Sequence, residues 1–81
     1  MNTSNFKLEQ LLDYLLEAKT RAEMSDRLEQ LLTPTEYDEV ITRLQIFNML
    51  EQGIPQRRIA ETLGVGIATV SRGARARKDR Q

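Results

Sequence analysis

The sequence predicts an all-α protein, a set of helices ending in a helix-turn-helix, and three observations carry that prediction. Apolar residues recur at three- and four-residue spacing along most of the chain, the spacing that puts them on one helical face. Two Thr-x-x-Glu strings, at Thr20 and Thr33, have the form of helix-opening capping boxes. Finally, Gln56 to Arg72, QRRIAETLGVGIATVSR, divides into two short helical patterns around a glycine-marked turn.

Taken in order, the first helix rests on Phe6, Leu8, Leu11, Leu12, Leu15 and Leu16, with Tyr14 at the edge of their stripe; it is expected over 5–18. In Thr20-Arg21-Ala22-Glu23 the threonine oxygen can take a backbone N–H while the glutamate reaches back to the threonine, opening a second helix over 20–32. Met24, Leu28, Leu31 and Leu32 give it one apolar face. Thr33-Pro34-Thr35-Glu36 repeats the signal with proline at the first helical position, where a missing N–H costs nothing. The helix it opens is expected over 34–52, stopping at Gly53. Tyr37, Val40, Ile41, Leu44, Ile46, Phe47, Met49 and Leu50 cover most of its circumference, more than a chain of 81 residues can bury alone. That helix is therefore expected at the centre of a homodimer. Arg43 lies within it, and the pattern leaves open whether it is a surface arginine, pairs with Asp38 or Glu39, or serves a ligand.

In the motif, Ile59 and Leu63 form one stripe and Ile67 and Val70 the other, and the two are expected to face each other. Leu63-Gly64-Val65-Gly66 supplies an apolar last turn and a glycine able to take positive φ just past it. Ala60 is small where the helices cross. The second motif helix is expected to run to about Arg77, through Gly73, which costs about 1 kcal/mol relative to alanine inside a helix. The organisation read from this is a helical dimerisation region over 1–53, a helix-turn-helix head over 54–78 and a tail over 79–81.

Net charge is zero, but it is unevenly placed. Residues 1–42 carry four cations and nine anions, and residues 43–81 carry eight cations and three anions, so an acidic first half precedes a basic second half. With no cysteine and no histidine, thiolate and imidazole chemistry is absent, and a non-enzymatic protein is expected. No apolar run approaches the roughly 20 residues that span a bilayer, and no targeting segment opens the chain; a cytosolic protein is expected, without membrane contact.

Thr69, Ser71, Arg72, Arg75, Arg77, Lys78 and Arg80 crowd the second motif helix and its continuation. Short hydroxyl and alanine side chains can enter a major groove while flanking cations meet phosphates, so the motif reads as a tool for double-stranded DNA. A helical protein-interaction module with a basic tail is the rival reading; it would need Arg75, Arg77, Lys78 and Arg80 but not Ile67, Ala68, Thr69 and Ser71.

Several strings together, Leu32-Thr33-Pro34-x-Glu36, Thr42-Arg43-Leu44-Gln45-Ile46, Gly53 and Gly64-Val65-Gly66-Ile67-Ala68-Thr69-Val70-Ser71-Arg72-Gly73, resemble the tryptophan repressor family over about residues 31–77. The resemblance implies an all-α, intertwined homodimer that represses transcription by reading a palindromic operator in successive major grooves. It also implies L-tryptophan as corepressor, its indole held between Arg43 and Arg72, with Thr33, Thr69 and Gly73 completing the ligand site. DNA contacts are then expected at Arg57, Ala60, Ile67, Ala68, Thr69 and Ser71, with Arg58, Arg75 and Lys78 on phosphates. Ala76 stands where the family has serine, Gln30 where it has leucine, and Pro55 where it has a capping serine, with one residue fewer before the motif. The helix that closes the dimer in longer members would fall beyond Gln81. A relative that keeps the head but not tryptophan control is the remaining alternative.

Overall fold

A computed structural model describes residues 3–79, and the side chains of 6–78. The helices are α1 (Thr3–Leu16), α2 (Arg21–Leu31), α3 (Pro34–Glu51), α4 (Gln56–Leu63) and α5 (Ile67–Asp79), with no strand among the described residues. The all-α expectation holds. α1 starts and ends two residues earlier than its apolar periodicity suggests, and at its end the helix tightens: the Ala18 N–H reaches back only three residues, to the Leu15 carbonyl at 3.2 Å. No helix among the described residues is long and apolar enough to cross a membrane.

Both threonines cap their helices, and the reciprocal box is complete at the second. Thr20 is extended (φ −133°, ψ 165°) and its Oγ1 accepts the Glu23 N–H at 3.1 Å. The glutamate closes back one residue further than expected, its Oε1 taking the Lys19 N–H at 3.4 Å rather than that of Thr20. At α3 the exchange is reciprocal: Thr33 Oγ1 accepts the Glu36 N–H at 3.1 Å and Glu36 Oε1 accepts the Thr33 N–H at 2.8 Å. Gly53 ends this helix at φ +80°, and the Ile54 N–H donates to the Met49 carbonyl at 3.1 Å.

The chain forms two compact units, one up to Tyr37 and one from Asp38 onward. In the first unit no described side chain is buried. Polar contacts link its elements: the Tyr14 hydroxyl donates to Gln30 Oε1 at 3.0 Å, and Ser25 and Tyr37 hydroxyls lie 3.2 Å apart. Arg27 donates to the Tyr14 carbonyl, lies 3.4 Å from Glu17 Oε1, and sits 4.6 Å above the centre of the Tyr14 ring. The leucine face of α1 is left open, with Phe6, Leu8, Leu11, Leu12 and Leu16 all exposed.

The second unit holds the core. Ile46 of α3, Ile59 and Ala60 of α4 and Val70 of α5 are buried, with Met49, Leu50, Ile54, Leu63 and Val65 packed around them. Val40, Ile41 and Leu44, on the first half of the same helix, are exposed. The core thus sits where α4 and α5 meet the end of α3.

Candidate nucleic-acid interface

The head is built from its turn outward. Gly64 takes φ +69°, ψ 33°, and the Val65 N–H then donates to the Ala60 carbonyl at 3.1 Å, a Schellman-type closure that a β-carbon at residue 64 would strain. Residues 65 and 66 carry the chain into α5, whose first turn closes by the Thr69 N–H on the Gly66 carbonyl at 3.0 Å. At the other end of α4, Pro55 stands at the cap without a side-chain bond.

Helix geometry then sorts the side chains of α5. Val70, Gly73 and Arg77, at i, i+3 and i+7, face inward: Val70 is fully buried, Gly73 is buried, and Arg77 is half-buried against Glu51. A β-carbon placed on Gly73 would lie 3.0 Å from Ile46 Cγ2, so α3 and α5 approach closely here. The glycine face that meets α3 is filled by the chain's own isoleucine, so Gly73 has a packing role of its own beside the ligand role that the family resemblance implies. Opposite this stripe, Ala68, Arg72, Arg75 and Lys78 are exposed, and Arg57 and Arg58 are exposed on α4. These cations share the outside of one small unit.

Two expectations are corrected. Ile67 does not face α4: it is 51% exposed at the first position of α5, and Val65 from the turn fills the core place assigned to it. Ala60 is 8% exposed and packed with Ile59 and Val70, so its methyl group holds the helix crossing and is withdrawn from the outer face where DNA contact was expected. The physical reason is the same in both cases. Helices of eight and thirteen residues meeting at a sharp turn bury only a narrow stripe: Ile67, at the first position of α5, stands at its open end, and Ala60, next to Ile59, stands within it.

Of the remaining residues, Thr69 is half-buried and accepts the Arg72 Nη2 at 3.4 Å, so these two are brought together on the surface of α5. Ser71 donates to Gln56 Oε1 at 2.9 Å, tying the middle of α5 to the first residue of α4. Arg43 is exposed and makes no ion pair among the described residues; of the readings left open for it, the surface arginine fits and the pair to Asp38 or Glu39 does not. Thr33 uses its hydroxyl to cap α3. Ala76 is half-buried and offers no donor. The Gln56–Ser71 bond and the Glu51–Arg77 pair were not foreseen, because partners fifteen and twenty-six residues apart leave no periodic trace in one sequence.

A turn-hinged helix pair with an apolar inner stripe and a cationic outer face defines a helix-turn-helix protein. Comparison with known proteins fixes the family. The Trp repressor protein family matches residues 6–81, and the chain belongs to it. Among curated relatives it is 38% identical over 73 residues to the Trp operon repressor homolog of Vibrio cholerae serotype O1, covering 89% of this chain and 71% of that protein. It is 39% identical over 67 residues to the homolog of Photobacterium profundum, with 82% and 65% covered, and 36% identical over 66 residues to that of Aliivibrio fischeri, with 80% and 61% covered. The chain therefore spans about three fifths to seven tenths of the length of these relatives. No solved structure matches significantly. Members of the family are transcriptional regulators, not enzymes.

Proposed function

We propose that this chain is a repressor of the trp operon type, acting in the cytoplasm as a homodimer on palindromic operator DNA, with L-tryptophan as corepressor. The observation that carries the DNA reading is the partition of the head. Ile59, Ala60 and Val70 are turned inward, while Ile67, Ala68, Arg57, Arg58, Arg72, Arg75 and Lys78 remain exposed. Ile67, Ala68 and the Thr69 hydroxyl at the start of α5, with Arg57 on α4, are the candidates for base contact, and Arg58, Arg75 and Lys78 are the candidates for phosphates. Ser71 belongs to the same face through its bond to Gln56. The dimer is supported by the apolar surface left open on α1 and on Val40, Ile41 and Leu44 of α3, which a monomer would present to water.

For the corepressor, the support is the family together with two guanidinium groups, Arg43 and Arg72, that are exposed and held by no carboxylate among the described residues. A guanidinium can stack on an indole and pair with a carboxylate, the two ends of tryptophan. Thr33, Thr69 and Gly73 join them by family resemblance, Gly73 now with its packing role against Ile46. The test is a duplex recovered by selection from a random pool, titrated by fluorescence anisotropy at fixed salt with and without L-tryptophan. Tighter binding with the amino acid is the expected result. No binding to any duplex at low salt removes the DNA reading; equal affinity in both conditions removes the corepressor alone.

A further inference from the structure

We infer that Arg77 is not one of the DNA-facing cations but a positioning residue, whose pair with Glu51 fixes the angle at which α5 is presented; this rests on the reading of α5 as the DNA-reading helix. Arg77 Nη2 donates to Glu51 Oε1, joining the last turns of α5 to the last residue of α3. Its side chain is 27% exposed, whereas Arg72, Arg75 and Lys78 on the outer sides of α5 are exposed. One helical turn earlier on the same inner stripe, Gly73 meets Ile46 of α3. α5 is thus held to α3 at two points, by close packing in its middle and by an ion pair near its end. The first point alone leaves a pivot. Val70, Ser71 and Gly73 anchor only the first half of α5, so its last turns can swing about that anchor, and a swing moves Arg75 and Lys78 most because they lie furthest along the arm. The ion pair stops that swing, so Glu51, an anion with no place on a polyanion-binding face, favours DNA binding.

That sign makes the proposal testable. Removing an anion from a DNA-binding protein ordinarily strengthens its binding, because the net charge becomes more positive. E51Q is expected to do the reverse, weakening affinity for the selected duplex roughly two- to fivefold, the range an exposed ion pair can support. The slope of log K against log salt is expected to stay unchanged in E51Q and R77Q, since neither removes a phosphate contact, and the charge-reversed double variant E51R/R77E is expected to recover affinity lost by either single reversal. If E51Q binds as well as or better than the parent, while R77Q lowers the salt slope by about 0.9, the loss per phosphate contact, Arg77 is on the DNA and the inference is overturned. Hydrogen exchange separates this result from a failure of the DNA reading itself. Should the parent chain bind no duplex, faster exchange of the Arg75–Lys78 amides in E51Q, with those of Ile59 and Val70 unchanged, still upholds the strut, and unchanged exchange at Arg75–Lys78 overturns it.

Discussion

The substitution that most directly probes the packing of the head is G73A. Two effects of opposite sign meet there. Inside a helix alanine is favoured over glycine by about 0.8–1.0 kcal/mol, so a merely tolerated glycine would be improved by the change. At this position, however, the new β-carbon would stand 3.0 Å from Ile46 Cγ2 and 3.7 Å from Ile46 Cβ and Cδ1. Ile46 is 1% exposed, and a β-branched side chain in a helix has one strongly preferred rotamer, so Cγ2 cannot move aside without shifting α3. Overpacking of this kind costs about 1–3 kcal/mol. The net expectation is a destabilisation of about 0–2 kcal/mol, and each kcal/mol corresponds to about 4–8 °C in a domain of this size.

The assay is urea or thermal unfolding at one fixed protein concentration, since an associating chain unfolds in a concentration-dependent way. Two backgrounds sharpen it. In I46V the Cγ2 methyl is retained and G73A should remain unfavourable. In I46A it is gone, only the ordinary 3.7 Å contact is left, and G73A should become stabilising by about 1 kcal/mol. If G73A stabilises the parent chain and I46A alike, α3 and α5 do not approach as closely as described, and the account of Gly73 fails.

Three other substitutions test separate parts of the fold. I59A removes a fully buried side chain from the four-residue core and should cost about 2–5 kcal/mol in unfolding free energy; a loss below 1 kcal/mol would mean that the core is not centred there. G64A forces a β-carbon onto φ +69° and should destabilise by about 1–2 kcal/mol, whereas the same change at Gly66, which does not have positive φ and has open space around it, should be close to neutral or stabilising. T33A deletes the hydroxyl that caps α3 and should cost about 1 kcal/mol, read by chemical denaturation, with T33S recovering most of it. A T33A loss restricted to ligand affinity, with stability untouched, would reverse the assignment of that threonine to capping.

The legibility of this chain divides along a physical line. Helix starts and stops were readable because they are written locally: Thr20 and Thr33 act on backbone N–H groups three residues away, and Gly53 and Gly64 answer to their own φ angles. The same holds for the family likeness, which lies in contiguous strings such as Gly64 to Gly73, and for the uneven distribution of charge, which is a matter of counting. What the sequence by itself determined, then, was the helix content, the position of the turn and the basic character of the head.

The tertiary structure decided which side of each short helix is inside. Periodicity marks a stripe but not its neighbour, so Ile67 and Val70 looked equivalent until Val70 was buried and Ile67 was left at 51% exposure. It also decided that Ala60 packs, that Gly73 makes way for Ile46, and that Arg77 turns back to Glu51 while Arg75 and Lys78 turn out. Each of these depends on the angle at which α4 and α5 meet α3, a quantity fixed by contacts between residues far apart in the chain, on which no local rule of spacing or propensity bears.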